Sequence, residues 1–335
     1  MPTTIDDVAK HAAVSTATVS RALRGLPNVA SSTRERIFEV ADRLNYVVDP
    51  QLSRMLSGRR RVAVLLPLVD QWFYSKLATT LELELLAANC ELNRFYIDTM
   101  TSQHKIVQRL VQQQLVDGII CVSLELSPAN IDTLSASSIH VITVETRLDR
   151  YSSIVIDNVA AAELATRHCI NLGHRRIGLI LGVSTISSDS YIVEQRRRGY
   201  INALHKADLP VDASLEYNGD NVYSGGAEAM KHLLSIHDPP SAVFAFSDEM
   251  AIGALKTLRD LNLKIPEDIS VIGFDDNDLA EYLGLTTIKQ PVTGFAEQAA
   301  KGMVKHLLQA QQEVRHITLE AELTIRSSTG PYYGK

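Results

Sequence analysis

The chain has 335 residues, 45% of them hydrophobic and 21% charged, with a formal net charge of −6. That length suggests two or three folded units, and that composition excludes collagen-like, low-complexity and wholly disordered chains. Residues 1–61 hold ten Lys/Arg against six Asp/Glu, whereas the remainder holds 23 against 33. A basic head on an acidic body suits a head that meets a polyanion.

The longest strongly apolar run, Val62 to Val69, is too short to cross a bilayer, and Met1 to Asp7 lacks the basic and apolar regions of a signal peptide. A cytoplasmic protein with no membrane partner is expected. Cys90, Cys121 and Cys169 are an odd number, widely spaced, with no CxxC pair, so they read as reduced core residues rather than disulfides or metal ligands.

Ile5, Val8, Ala9 and Ala12 fall at i, i+3, i+4 and i+7, the apolar stripe of a first helix, and Thr4 with Asp7 forms a capping pair at its start. Ala13-Val14-Ser15 breaks that pattern, and Ser15 is placed to cap a second short helix whose inward positions are Val19 and Leu23. Beyond the loop Gly25-Leu26-Pro27-Asn28, Ser32 and Glu35 have capping-box spacing before Ile37, Val40, Ala41 and Leu44. The pattern predicts a helix-turn-helix closed by a third helix. Its bland alternative is a three-helix bundle with solvated hydroxyls.

In a helix-turn-helix the second helix enters the major groove, with its N-terminal residues and one later side chain at base edges. Those positions are Thr16, Ala17 and Arg21. Arginine pairs bidentately with guanine O6 and N7, while Thr16 and the Ala17 methyl suit a thymine methyl or mixed edges. Thr4, Ser15, Thr18, Ser20 and Ser31 are better placed for phosphates, which position without specifying.

These residues carry a resemblance. Ile5-Asp6-Asp7-Val8-Ala9, Ala13-Val14-Ser15, Thr18-Val19-Ser20-Arg21, and Val29 through Thr33-Arg34 to Leu44-Asn45-Tyr46 resemble the head of the lactose-repressor (LacI/GalR) family of transcription regulators. The sequence departs from that pattern with Ala13 at the usual turn glycine, Arg24 at an asparagine, and Ala30 at a serine that caps the third helix. The last departure leaves capping to Ser31 or Ser32.

Proline disfavours a helical conformation in the residue before it, so Asp49-Pro50 starts a new segment, and Gln51 to Ser57 is a helix too short to be stable alone. The resemblance implies a hinge helix that pairs across a dimer axis and wedges an apolar side chain into the minor groove. By distance from Tyr46 that lever falls on Met55, with Leu56 beside it; Ser53 replaces the usual alanine, and either Met55 or Leu56 fits the wedge. Arg59-Arg60-Arg61 reads equally as a phosphate contact or a solvated run.

From Val62 onward, strand-like runs (Val62–Leu66, Glu91–Tyr96, Gly118–Cys121, Val141–Val144, Ile177–Leu181, Ala242–Phe246, Ser270–Gly273) alternate with helical ones (Ser75–Asn89, Val159–Asn171, Glu249–Leu261, Phe295–Leu308). Two sets of strands separated near Asp157-Asn158 predict an α/β body of two Rossmann-like lobes with parallel sheets. The resemblance extends over Ile156-Asp157-Asn158, Leu172 to Ile177, Arg196 with Gly199-Tyr200, Ser247-Asp248 and Val271 to Asp276. It implies a periplasmic-binding-protein-like effector domain with three crossings, near Asp157, Gln290 and Leu323. The expected organisation is a head at 1–48, a hinge and linker at 49–61, and a body at 62–335, with one lobe about 62–157 plus 291–322 and the other about 158–290 plus 323–335.

Loops after strand ends are where ligands bind in such folds. Phe73 and Tyr74 follow strand one, Glu145 the fourth, Asp248 follows Phe246, Asp275 follows Gly273, and Arg196 comes from a helix. The resemblance implies that these line an inducer site. A planar arginine, carboxylates and an aromatic face suit a small polyhydroxylated ligand, a sugar or nucleoside. Each has a plainer reading: Phe73 and Tyr74 as core, Arg196 as part of the solvated run Arg196-Arg197-Arg198, Asp275 as a helix cap. Trp72 is placed at the pocket rim or the lobe seam, and His174-Arg175-Arg176 in a structural loop.

Catalytic hardware is missing: there is no GxGxxG after a strand, no GxxxxGK[ST], no HExxH and no GxSxG. Asp275 to Asp278 matches a calcium loop only superficially. No enzyme, cofactor or metal is expected. The function expected is a homodimeric DNA-binding regulator of a pseudopalindromic operator, most simply a repressor, controlled by a small effector; a corepressor-dependent or activating regulator and a sugar-binding protein with a vestigial head stay open.

Overall fold

A computed structural model describes residues 3–23, 28–44, 46, 60–182, 187–308 and 313–334. Arg24, the expected hinge helix with Met55 and Leu56, and Arg59 lie outside the described residues. The chain divides into two compact units, Met1–Arg60 and Arg61–Lys335.

In the first unit, α1 (Ile5–His11), α2 (Thr16–Leu23) and α3 (Ser31–Arg43) pack around Val8, Ala12, Val19, Leu23, Ile37, Val40 and Ala41. The Thr4 capping box is present: Thr4 N–H and Oγ1 both donate to Asp7 Oδ2 at 2.8 Å, and Oγ1 accepts from Asp7 N–H. Ser15 Oγ accepts from Thr18 N–H at 3.1 Å and starts α2. Ala13, in the turn between them, adopts φ 51°, a left-handed conformation that strains an L side chain. The start of α3 corrects one expectation. Ser31 and Ser32 lie inside its first turn, and Ala30, whose carbonyl accepts from Arg34 N–H, precedes them at the cap position. The Ser32/Glu35 spacing is therefore within the helix rather than at its cap.

The second unit begins with β1 (Arg60–Pro67), α4 (Trp72–Ala87), β2 (Cys90–Ile97), α5 (Met100–Gln112), β3 (Gly118–Val122), α6 (Pro128–Ser135), β4 (His140–Val144) and β5 (Ser152–Ile156). It continues with α7 (Asn158–Asn171), β6 (Ile177–Leu181), α8 (Ser187–Lys206), β7 (Glu216–Asn218), α9 (Tyr223–Ser235), β8 (Ala242–Ala245), α10 (Asp248–Asp260), β9 (Ser270–Asp275), α11 (Asp278–Leu283) and β10 (Thr286–Lys289). α12 (Val292–Leu308), β11 (His316–Leu319) and β12 (Glu322–Thr324) complete it.

Two six-stranded sheets result, in the orders β11-β5-β4-β3-β1-β2 and β12-β10-β9-β8-β6-β7. β12 runs antiparallel to β10, so the second sheet is not wholly parallel. Helices cover both faces, which is why central strands such as Gly118-Ile119-Ile120-Cys121-Val122 are buried throughout instead of alternating. The chain changes sheet between Ile156 and β6, between Lys289 and β11, and between Leu319 and Glu322; Leu323 itself is paired with Ile288 inside β12, so that crossing falls earlier than its expected position.

Several elements differ from their sequence reading. α4 starts at Trp72, not Ser75, so Phe73 and Tyr74 sit on a helical first turn instead of a loop. β5, β7, β10, β11 and β12 are five or fewer residues long and were not expected; only β5 carries an apolar run, Ile154-Val155-Ile156. Cys90, Cys121 and Cys169 are buried free thiols. His174 is a buried structural clamp, its ring nitrogens bonded to Ser241 and Ser270 hydroxyls at 2.9 and 3.0 Å.

Candidate functional sites

The exposed face of α2 follows from its buried one. Val19, Ala22 and Leu23 are locked in the small core, so Thr16, Ala17 and Arg21 point to solvent, with Thr18 and Ser20 half-buried beside them. Ser15 and Ser31 are exposed at the starts of α2 and α3. The free N–H groups of those two helix starts favour anions. Thr4 is exposed too, but its hydroxyl is engaged by Asp7.

In the second unit, residues that follow strand ends converge on one cleft between the two sheets. Gln71, Phe73 and Tyr74 come after β1, Glu145 after β4, Asn221 after β7, Phe246 and Ser247 after β8, Asp275 from the end of β9, and Gln290 after β10; α8 adds Ile192, Val193 and Arg196. Five of the six residues singled out from sequence are thus brought together: Phe73, Tyr74, Glu145, Arg196 and Asp275. The void between them is about 50 Å³, room for a few waters and well below the roughly 300–1,000 Å³ of ordinary ligand sites.

Phe73 and Tyr74 are both wall and core. They pack edge to face at 5.2 Å, and Phe73 meets Phe295 of α12 at 6.2 Å. Arg196 is buried, not part of a solvated run. Its guanidinium lies 3.6 Å over the Phe274 ring, Nε donates to Asn158 Oδ1 at 2.9 Å, and Nη1 donates to the Phe246 carbonyl at 2.6 Å. This pins a planar donor array at the cleft wall. α8 reaches that position because α7 is close: a side chain on Gly199 would meet the Val159 carbonyl at 2.2 Å.

Asp275 accepts from Gln290 Nε2 at 2.7 Å, while Gln290 Oε1 is buried without a partner among the described residues. It is not a helix cap; Asn277 caps α11 through Leu279 and Ala280 N–H. Burial, reinforced by Glu249 and Asp248, raises the Asp275 carboxyl well above the ordinary range against the opposing pull of Arg196. Backbone strain concentrates here, with Glu145, Asn221 and Asp275 at φ 65°, 56° and 124°.

Asp248 does not line the cleft. It is fully buried behind it, Oδ1 accepting from Thr287 Oγ1 at 2.6 Å and Oδ2 from Asn277 N–H at 2.7 Å. Burial pushes it up to about 8 despite those two bonds. Its geometry ties the start of α10 to β10 and to the turn before α11, a positioning role rather than a contact.

Trp72 lies on the seam between lobes. Its backbone N–H donates to Glu249 Oε1 at 3.0 Å and its Nε1 to Asp278 Oδ2 at 2.9 Å, while Gln71 Nε2 reaches the Asn221 carbonyl at 3.3 Å. Gln71 gives α4 no side-chain cap, so the first helical N–H is satisfied by a carboxylate from the other lobe. Gln71, Ile192, Val193, Asn221, Phe246, Ser247 and Gln290, the last expected only as a crossing, were missed as cleft residues. For Ser247 the signal was present, since it precedes Asp248 at a strand end.

Comparison with known proteins agrees with this layout. Residues 4–49 match the family model of bacterial regulatory proteins of the lacI family, and residues 166–329 a periplasmic binding protein-like domain. The chain is similar to the HTH-type transcriptional repressor CytR of Escherichia coli, 33% identical over 338 residues, covering 97% of this chain and 96% of that protein. Among solved structures, the transcriptional regulator CelR in complex with cellobiose aligns with a TM-score of 0.71 at 28% identity, over 97% of this chain and 99% of that one. A LacI family regulator from Enterococcus faecium with bound ribose aligns at 0.72 and 26%, over 82% and 100%.

Proposed function

The chain belongs to the lacI family of bacterial transcription regulators, and from that premise we propose that it is a repressor that binds a pseudopalindromic operator as a homodimer. A small polyhydroxylated effector, a sugar or nucleoside, sets its grip from the cleft. It acts by binding in the cytoplasm, without catalysis.

The observation that carries the reading is the pairing, in one chain, of an exposed Thr16-Ala17-Arg21 helix face with a cleft whose polar groups converge from six strand ends. Arg21 and Ala17 supply base contacts, and Ser15, Thr18, Ser20 and Ser31 the phosphate contacts. In the cleft, Arg196 offers donors, Glu145, Asp275 and Gln290 Oε1 acceptors, and Phe73 and Tyr74 an apolar face, which is the mixture that hydroxyl-rich rings require. Sugars in the cellobiose and ribose complexes of two relatives support the same ligand class. Asp248 belongs to the support of this site.

The test is selection of bound sequences from random duplexes with the full-length protein, then titration of the selected duplex with sugars and nucleosides. Enrichment of a palindrome, released by one such compound, supports the reading. Tighter DNA binding with that compound makes it a corepressor. Failure to prefer any palindrome over bulk DNA at moderate salt overturns the reading.

A further inference from the structure

The run Arg196-Arg197-Arg198 is divided by the helix that carries it, because successive residues turn about 100°. Arg196 faces the cleft. Arg197 makes a bidentate ion pair with Glu216, Nε to Oε2 at 2.6 Å and Nη2 to Oε1 at 2.9 Å. Arg198 falls in line with Tyr191 and Gln195 at i, i+4 and i+7, and it is exposed with no hydrogen bond or ion pair among the described residues.

That stripe forms one wall of a second chamber of about 260 Å³, next to the cleft and sharing Glu145 with it. The opposite wall belongs to the other lobe and includes Arg147, Val155 and Thr318. Two acidic groups also line the chamber. Asp157 accepts from Ala160 N–H as the cap of α7, and Glu145 is buried at the shared wall. Among the described residues Arg147 has an ion pair with Asp149 alone, at 3.6 Å, both side chains more than half exposed. Guanidinium groups from opposite lobes therefore face one chamber. Like charges placed so repel, and an anion between them reverses that sign and joins the lobes.

We propose that this outer chamber takes the phosphoryl or carboxylate group of a sugar whose hydroxyls occupy the inner cleft, so that the effector is a sugar phosphate or sugar acid. The inference rests on the sugar-effector reading above. In the inner cleft Arg196 already donates to Asn158 and to the Phe246 carbonyl, whereas Arg198 in the outer chamber has no hydrogen bond or ion pair among the described residues, so the anionic group falls to the outer chamber.

Ligand-induced shifts in melting temperature of the full-length protein test it, with inorganic phosphate, glucose, ribose, glucose 6-phosphate, ribose 5-phosphate and gluconate as probes at constant ionic strength. The expected result is a shift with at least one sugar phosphate or gluconate that exceeds those of its parent sugar and of inorganic phosphate. An R147Q/R198Q double variant should lose at least tenfold in affinity for that probe. A sugar phosphate giving the larger shift identifies a phosphoryl group; gluconate identifies a carboxylate. Equal responses of wild type and double variant, a shift with inorganic phosphate as large as with any sugar anion, or no shift with any anion overturns the proposal. Neutral sugars that bind and are lost in R196A, with anions indifferent, sink this inference alone. Loss of every polyhydroxylated binder removes the effector reading with it.

Discussion

Replacing Asp248 by Asn tests whether this carboxyl is a buried strut and not a ligand contact. Its pKa is raised by burial from 3.8 to about 8, so between those values the folded chain holds a proton that the unfolded chain has released. Stability from this group is fully present below about pH 4, falls as pH rises through the window, and is constant again above about pH 8. A shift of that size places the effect on the order of several kcal/mol, shared with the buried Asp275 carboxyl, which is raised too. An Asn amide keeps the geometry. Its oxygen accepts from Asn277 N–H, and its NH₂ donates to Thr287 Oγ1, whose proton then turns to the Ile288 carbonyl, 3.5 Å away. Asp248→Asn should therefore be within ~1 kcal/mol of wild type at pH 4.5, where one neutral hydrogen-bonding group replaces another, and more stable by several kcal/mol at pH 8.5. Urea unfolding followed by emission of Trp72, the only tryptophan, reads this out in the second unit. A wild-type midpoint that is flat from pH 5 to 8, or a variant weaker at pH 8.5, refutes the reasoning.

Arg21→Ala should lower affinity for a selected operator by about 1–3 kcal/mol per half-site and relax preference at one base pair, measured by mobility shift; equal loss on random DNA removes Arg21 as a base reader. Ala13→Gly relieves the left-handed strain at φ 51° and should stabilise the head by roughly 0.5–1 kcal/mol after the added freedom of the unfolded chain is subtracted, as a rise in its melting temperature. Arg196→Ala removes the donors at the cleft wall and should abolish the response to a bound sugar while operator affinity in its absence is retained; an intact response moves the binding site elsewhere.

What was legible from the sequence was what depends on neighbours along the chain. The Thr4/Asp7 capping box, the α1 stripe and the Ile177–Leu181 strand needed only local spacing, and they stand as read. The start of α4 did not, because the group satisfying Trp72 N–H is Glu249, 177 positions away, so no cap was visible beside Gln71. Glu145 and Asp275 could be picked out because strand ends and charge mark them, and Arg196, on a helix, through the family resemblance. Ile192 and Val193 could not, since an apolar pair on a helix looks the same whether it faces a core or a cleft. Asp248 shows the reverse error. A carboxylate after a strand end carries the signal of a ligand contact, but as the first residue of α10 this one is turned inward to Thr287.

The cleft's small void has a consequence for control. A ring that enters a space of about 50 Å³ has to displace the 71–74 turn from the 246–275 wall. Among the described residues the hydrogen bonds that resist are those of Gln71 and Trp72 to Asn221, Glu249 and Asp278, beside an exposed Lys76–Asp278 ion pair at 3.9 Å that adds little. At roughly 1 kcal/mol each, partly exposed as they are, these hydrogen bonds sum to about 3 kcal/mol. That is the scale of a typical allosteric coupling, about 1–3 kcal/mol, and well under the roughly 8 kcal/mol of a micromolar ligand. For the proposed effector the seam is thus weak enough to open and strong enough for its opening to matter. A ligand that fits both lobe arrangements equally well binds without controlling anything. On the proposed reading the Gln71-Trp72 strap imposes the difference between the two, and a Trp72→Phe variant, which loses the Asp278 bond, should bind ligand more tightly while responding to it less.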